Sequence, residues 1–236
     1  ADLLLSGEEM QRSRALYAEL LDSNPSDHKA LIGMVRIHLR RGELDKAREY
    51  LIRAKEAGAP AERLAEQSAL YYAAAGKLQT ARSILEKQIE AGRETDRAWG
   101  TLVWILVRQQ DRSGLEELLH KLESAGETQG FVYLAGRGHL ALMQDRLDEA
   151  RRYFRAAHRV EPGNTQILEF LLRLDIVQVR KELARTHVRQ LLRRDPDNAF
   201  GNYVLGSLNL ADGNPALAED SFRRSIEIEP SAEALN

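Results

Sequence analysis

The residues best suited to chemistry by type and spacing form a glycine-rich segment in the middle of the chain. Residues 136–141 read G-R-G-H-L-A, which fits the G-x-G-x-x-A fingerprint of a loop that binds a dinucleotide pyrophosphate. The apolar residues 131–135 precede it as a strand would, and Glu161 follows at about the distance of a ribose-binding acid. However, residues 147–160 continue a helical pattern and no second strand follows. We therefore expect a helix here, in which Gly138 permits close helix contact, and no dinucleotide site.

Other catalytic and metal-binding patterns are absent from the sequence. No zinc-protease, nucleophile-elbow, P-loop or EF-hand spacing occurs. The six histidines are dispersed and form no i, i+4 metal pair, so we expect them at the surface or in helix packing. The absence of cysteine excludes disulfides, thiolate metal sites and thiol nucleophiles. We predict no catalytic residue, no metal and no cofactor.

Charge and hydropathy narrow the range of partners. A formal net charge of −2 argues against a general polyanion binder. No apolar run approaches the roughly 18–20 residues of a membrane span, and Leu3–Leu5 is too short for a signal sequence. We expect a soluble protein, either cytoplasmic or in a bacterial periplasm.

Two charged segments admit a second interpretation. The arginine-rich residues 180–194 could form a nucleic-acid stripe, but Glu182 interrupts them and no aromatic side chains are interleaved for base stacking. The acids 148–149 and arginines 151–152 have the spacing of weak surface pairs on a helix. We predict solvated helix faces in both places and no nucleic-acid partner.

The elements that carry these residues repeat along the chain. Three prolines lie 34 residues apart, and an alanine precedes each by 12 residues; the pairs are Ala150 and Pro162, Ala184 and Pro196, and Ala218 and Pro230. The same alanine register extends back to Ala81 and Ala47. A period of 34 is the length of two antiparallel helices that stack on their neighbours.

The repeats resemble those of tetratricopeptide repeat proteins, whose pattern is W-x2-L-G-x2-Y, then A-x3-F, then P. The last unit matches it at Leu205, Gly206, Ala218, Phe222 and Pro230, whereas the unit from Thr165 is the weakest match, with Asp175 at the tyrosine position. The resemblance implies an all-α, right-handed solenoid formed by one array over residues 1–236. Its units are a partial one at 1–27, then 28–61, 62–95, 96–130, 131–164, 165–198 and 199–232, with a further helix beginning at 233–236. We interpret the chain as a window of a longer array, with thirteen helices in these units.

The resemblance also implies a binding site. In this family the first helix of each pair lines a concave groove and contacts ligands through its second, fifth, ninth, twelfth and thirteenth positions, which we call the groove positions. The candidates selected from them are Lys29, Arg36, Arg40, Arg63, Trp104, Arg108, His139, Arg173 and Tyr203. The first three units carry six basic residues and one acid, Glu66, at these positions. Trp104 is expected to be an aromatic anchor facing the groove, and Trp99 to lie in the core.

These observations predict a non-enzymatic scaffold that binds a protein or peptide, with acidic or carboxylate groups received by the arginines. Two alternatives stay open. The chain could be the periplasmic repeat region of a larger bacterial envelope protein, similar to the scaffolds of exopolysaccharide export. It could also be the regulatory repeat domain of an enzyme. Because the ends of a repeat array are apolar, self-association through the amino-terminal face around Leu3–Leu5 is also expected.

Overall fold

The computed structural model describes residues 7–93 and 95–229, and all regular structure within them is helical. The thirteen helices of this part of the chain are α1 (Gly7–Ser23), α2 (His28–Arg40), α3 (Leu44–Glu56), α4 (Ala61–Ala74), α5 (Leu78–Glu90), α6 (Asp96–Arg108), α7 (Arg112–Ser124), α8 (Phe131–Met143), α9 (Leu147–Val160), α10 (Thr165–Val177), α11 (Lys181–Arg194), α12 (Ala199–Ala211) and α13 (Pro215–Ile228).

The helices confirm the 34-residue phase. Five of the six first helices begin at the residue at which a unit was predicted to start, and α4 begins one residue early, directly after Pro60. The glycine-rich residues 136–141 lie inside α8, as expected from the repeat and not from the dinucleotide fingerprint. Leu3–Leu5 and the helix start predicted at 233–236 lie outside the described residues.

Successive helices pack in the order that defines a solenoid of helix pairs. Each first helix packs against the second helix of its own pair, and α3, α5, α9 and α11 also pack against the next first helix. The all-α solenoid class is therefore confirmed. The chain divides into two compact units, Leu5–Gly126 and Glu127–Asn236, and the division falls where the repeat lengthens from 34 to 35 residues.

Small residues allow the paired helices to approach closely. A Cβ atom added to Gly138 in α8 would lie 2.6 Å from the Phe154 ring of α9. Gly206 has the same relation to Phe222, with a distance of 2.7 Å. In the pair α6 and α7, the larger Val103 and Leu115 are buried at the equivalent positions. A small residue at this contact is therefore present in some pairs and not in all.

Replacing Gly138 by leucine should lower the free energy of unfolding by about 1–3 kcal/mol, because the added side chain overpacks the contact with Phe154. Gly163→Leu is the matched control, since a Cβ there meets only the flexible end of the Arg194 side chain, at 3.6 Å. Chemical denaturation of both variants tests the contact. An unchanged midpoint for Gly138→Leu, or an equal loss in the control, would contradict it.

Candidate functional site

The candidate site consists of the exposed surfaces of the first helices, which we treat as one face in each compact unit. The α2–α4–α6 face belongs to the unit Leu5–Gly126, in which α4 packs against both α2 and α6. The α8–α10–α12 face belongs to the unit Glu127–Asn236. Side chains join its helices: His139 of α8 contacts Phe170 of α10, and Arg173 of α10 lies over Phe200 of α12.

An aromatic–cation pair lies on the α2–α4–α6 face. The Trp104 side chain is 37% exposed, and the guanidinium carbon of Arg108 lies 5.1 Å from the centre of its ring. The two residues are one helical turn apart in α6, so the helix itself holds the guanidinium over the indole. Trp99 is only partly buried, so the expectation that it lies in the core holds in part.

The acid on this face is withdrawn from its surface. Glu66 is 1% exposed, accepts a hydrogen bond of 2.5 Å from the Thr95 hydroxyl, and lies 3.7 Å from Arg63. Among the predicted site residues of this face, Lys29, Arg63 and Arg108 are exposed, whereas Arg36 and Arg40 are partly buried. The surface charge at the groove positions of α2, α4 and α6 is therefore cationic.

The α8–α10–α12 face repeats the combination of an arginine with an aromatic ring. The guanidinium carbon of Arg173 lies 3.9 Å from the ring centre of Phe200, and both residues occupy groove positions. Tyr203 is 39% exposed, and its ring centre lies 5.7 Å from that of Phe222. Three large aliphatic residues are also exposed at groove positions here; they are Ile176, Val177 and Leu210.

His139 has a different environment from the other predicted site residues. Its ring packs edge-on against Phe154 at 5.2 Å and Phe170 at 4.6 Å, between α9 and α10. Burial lowers the pKa of His139 from 6.5 to about 4, because the apolar surroundings disfavour the charged ring. In this position His139 is neutral near pH 7 and contributes packing.

Acidification should therefore weaken the fold through His139. The unfolded chain protonates this ring near its ordinary pKa of 6.5, while the folded protein keeps it neutral down to about 4. Between pH 6.5 and pH 4 the unfolded state therefore binds more protons than the folded state. The free energy of unfolding should fall by up to about 3 kcal/mol as the pH is lowered through this window. Unfolding free energies measured across the window should fall less steeply in His139→Leu than in wild type. His120→Asn, at an exposed position, should keep the wild-type slope, and equal slopes in all three proteins would refute the assignment.

A buried ion-pair network lies behind the α8–α10–α12 face. Asp175 of α10, which is fully buried, accepts hydrogen bonds from Arg151 of α9 and from Nδ1–H of His187 of α11. Arg151 also donates to the Gln178 side chain at 2.6 Å. Arg151 is 5% exposed, so the interpretation of residues 148–152 as a wholly solvated face is wrong for this arginine. The sequence signal for this network was an aspartate, Asp175, at the position where the family has a tyrosine. The sequence did not show which residues would pair with Asp175.

The described residues hold no cluster of three or more metal-ligating side chains. No helix in this part of the chain combines the length and apolar character needed to cross a bilayer. What the geometry offers is two surfaces that combine exposed apolar side chains with guanidinium groups, which suits recognition by contact.

Comparisons with known proteins agree with this architecture. A family model described as a TT21 fifth ARM repeats domain matches residues 1–107, and a tetratricopeptide repeat model matches residues 178–233. No curated protein matches the sequence. The helical pairs and their repeat phase form a tetratricopeptide-type repeat fold, and the tetratricopeptide model itself matches the carboxy-terminal part of the chain.

Solved structures with the same fold share little sequence with the chain. The Cut9-Hcn1 hetero-tetramer of the APC/C has a TM-score of 0.73 at 16% identity, covering 96% of this chain and 45% of that one. PilF of Pseudomonas aeruginosa has a TM-score of 0.64 at 14% identity, covering 88% and 94%. A tetratricopeptide repeat protein from Parabacteroides merdae has a TM-score of 0.64 at 16% identity, covering 97% and 90%. This chain thus spans less than half of the Cut9-Hcn1 chain and about nine tenths of the other two.

Proposed function

We propose that this protein is a non-enzymatic scaffold that binds a partner polypeptide on its first-helix faces. The observation that supports the proposal most directly is where large apolar side chains are exposed. Among the described first helices, five such side chains are exposed, and all five occupy groove positions; they are Trp104, Ile176, Val177, Tyr203 and Leu210. Exposed apolar groups gathered at one set of positions are typical of an interaction surface, whereas scattered ones are not.

The charge on these faces defines the chemistry of the partner. Every exposed charged residue at a groove position is basic, namely Lys29, Arg63, Arg108 and Arg173. A peptide that places acidic groups beside apolar side chains would pair with both features at once. Because Arg108 and Arg173 already lie over aromatic rings, their guanidinium groups lose less freedom on binding than free side chains would.

The comparisons support the same class of function without fixing a partner. Repeats of this type generally bind proteins and are generally not catalytic. One similar solved structure is a hetero-tetramer, so assembly with another polypeptide is a use that this fold supports. Acidic character in the partner rests on the charges of this chain alone.

A displayed library of random short peptides tests the proposal. Peptides enriched on the immobilised protein should combine Asp or Glu with Leu, Phe or Trp, and fluorescence anisotropy then gives their affinities. The double variant Arg108→Glu and Arg173→Glu should weaken binding at least tenfold through charge repulsion. Arg48→Glu with Lys55→Glu, on the exposed side of α3, makes the same change in net charge and should bind like wild type. Failure to enrich any peptide, enrichment of basic ones, or equal weakening by both variants would overturn the proposal.

A further inference from the structure

Two neighbouring second helices of the unit Glu127–Asn236 carry an ordered set of exposed arginines. We call this set the arginine ladder; its members are Arg152, Arg155 and Arg159 of α9 and Arg189, Arg193 and Arg194 of α11. Arg155 and Arg189 are 34 residues apart and occupy the same repeat position, as do Arg159 and Arg193. The ladder therefore places like charges in register on successive second helices.

The ladder arginines have no acidic partner among the residues that the structure describes, and all six are exposed. Other basic residues of the same helices are paired: Arg151 with Asp175, and Lys181 and Arg185 with Asp212. Residues 146–194 contain twelve basic and six acidic side chains, and Asp175 among the acids is held inside the fold. The ladder is thus a local cationic surface on a chain of near-neutral net charge.

The pattern is not a general property of the repeats. At the positions equivalent to Arg155 and Arg159, α3 carries Ile52 and Glu56, and α5 carries Glu86 and Glu90. The same repeat positions are therefore acidic or apolar in α3 and α5 and basic in α9 and α11. This internal comparison separates the ladder from an overall preference for arginine.

The two ladder helices are fixed relative to each other by the buried network. Both α9 and α11 pack against α10, and Asp175 of α10 accepts hydrogen bonds from Arg151 of α9 and His187 of α11. The stacked rings of Phe154 and Phe170, with centres 5.2 Å apart, add a second link between α9 and α10. The spacing of the two helices that carry the arginines is therefore set before any ligand binds, which lowers the ordering cost of binding.

The chemistry of the ladder favours a ligand with regularly repeated anions. Planar guanidinium groups match phosphate oxygens in two-point contacts. Val160, next to Arg159, is an exposed aliphatic residue. No exposed aromatic side chain lies among the ladder arginines, so the surface lacks the aromatic anchor that protein interfaces and inserting membrane surfaces use. We propose that the arginine ladder binds the phosphate backbone of a nucleic acid without reading its sequence.

This proposal revises the sequence-based expectation of a plain solvated helix and no nucleic-acid partner. That expectation considered residues 180–194 alone and rested on the interruption by Glu182 and on the absence of aromatic residues for base stacking. The structure adds a second helix with three exposed arginines, two of which are in register with arginines of α11. Binding through phosphates alone needs no aromatic side chain.

The size of the surface sets the expected salt dependence. Arg152 and Arg159 are about 10 Å apart along α9, since the helix rises about 1.5 Å per residue. The span of about 10 Å holds several phosphates, since a duplex carries one charge per about 1.7 Å of its axis. With one phosphate for each of the arginines that are in register between α9 and α11, the ladder neutralises about four phosphates. The logarithm of the binding constant should therefore fall with the logarithm of salt concentration with a slope of about −3 to −4 for duplex DNA, and less steeply for single strands.

The ladder is tested by the fluorescence anisotropy of labelled oligonucleotides, single-stranded and duplex, each in two unrelated sequences. Binding is measured between about 50 and 200 mM salt. The ladder variant carries Arg155→Ala, Arg159→Ala, Arg189→Ala and Arg193→Ala. The control removes four exposed cations of the other unit with Arg48→Ala, Lys55→Ala, Lys87→Ala and Arg93→Ala. Wild type should bind both sequences alike; the ladder variant should lose at least tenfold in affinity at the lower salt and most of the salt slope. The control should stay within about twofold of wild type.

Several results would overturn the proposal. Wild type could fail to bind either oligonucleotide at the lower salt, or the two quadruple variants could lose affinity equally, which would mark a net-charge effect. Binding of wild type to phosphatidylserine vesicles but not to oligonucleotides would assign the ladder to a membrane. Thermal denaturation verifies that the variants fold. If the quadruple ladder variant does not fold, the double variant Arg155→Ala and Arg189→Ala replaces it and should lose part of the salt slope. None of these results bears on peptide binding to the first-helix faces.

Discussion

Replacing Asp175 by alanine is expected to lower the free energy of unfolding by about 3–5 kcal/mol. The carboxylate is fully buried and accepts hydrogen bonds from Arg151 and His187. Without it the Arg151 guanidinium, 5% exposed, would keep its charge in the interior with only the Gln178 side chain to receive its hydrogen bonds. The cost is that of an uncompensated buried cation, which exceeds the value of the pair itself. Chemical denaturation at neutral pH measures the loss.

Two further variants show whether burial is the cause. Asp148→Ala removes an acid at the exposed edge of the same network, where the side chain is 79% exposed, and should cost less than about 1 kcal/mol. Arg151→Met combined with Asp175→Leu removes both buried charges and should recover most of the stability lost in Asp175→Ala. If Asp175→Ala is no more destabilising than Asp148→Ala, or if the double variant is the least stable of the three, the network does not have this role.

The fold was predictable because the repeat is a steric requirement that recurs at fixed spacing. Helices approach closely where a small residue faces the partner helix, as Gly138 and Ala150 do for α8 and α9, and such residues recur at the repeat spacing. The alanine and proline register therefore gave the first residue of five first helices and placed α4 within one residue. The same phase excluded the dinucleotide fingerprint at residues 136–141.

The side-chain environments were less predictable because they depend on contacts between helices. Arg151 and Asp175 are 24 residues apart, and nothing in the pattern of either helix distinguishes a buried arginine from its solvated neighbour Arg152. His139 occupies a groove position by its repeat number, yet it packs between two phenylalanine rings because α10 supplies Phe170 there. Glu66 is withdrawn from its face by a hydrogen bond from Thr95, the residue that caps the start of α6. The position of a residue within its repeat predicts which side of the helix it occupies, but not which side chains of other helices it contacts.

The two tryptophans of α6 provide the sharpest test of the groove positions. Trp104 is 37% exposed on the α2–α4–α6 face, whereas Trp99, five residues earlier, is partly buried against the fold. Trp104→Ala should weaken binding of an acidic–apolar peptide, enriched from the library described above, by at least tenfold and leave stability nearly unchanged. An aromatic anchor that becomes desolvated on binding typically costs about 2 kcal/mol or more on truncation, which is more than tenfold in affinity.

Trp99→Ala is the matched substitution, with the same residue types on the same helix. It should lower the free energy of unfolding by about 3 kcal/mol, because it removes a large packed ring. At temperatures where this variant stays folded, its peptide affinity should stay close to that of wild type. Anisotropy and denaturation measured on both variants separate the two roles, since each mutation is expected to change one quantity and spare the other. Wild-type peptide affinity in Trp104→Ala, or a greater loss of stability there than in Trp99→Ala, would remove Trp104 from the binding face.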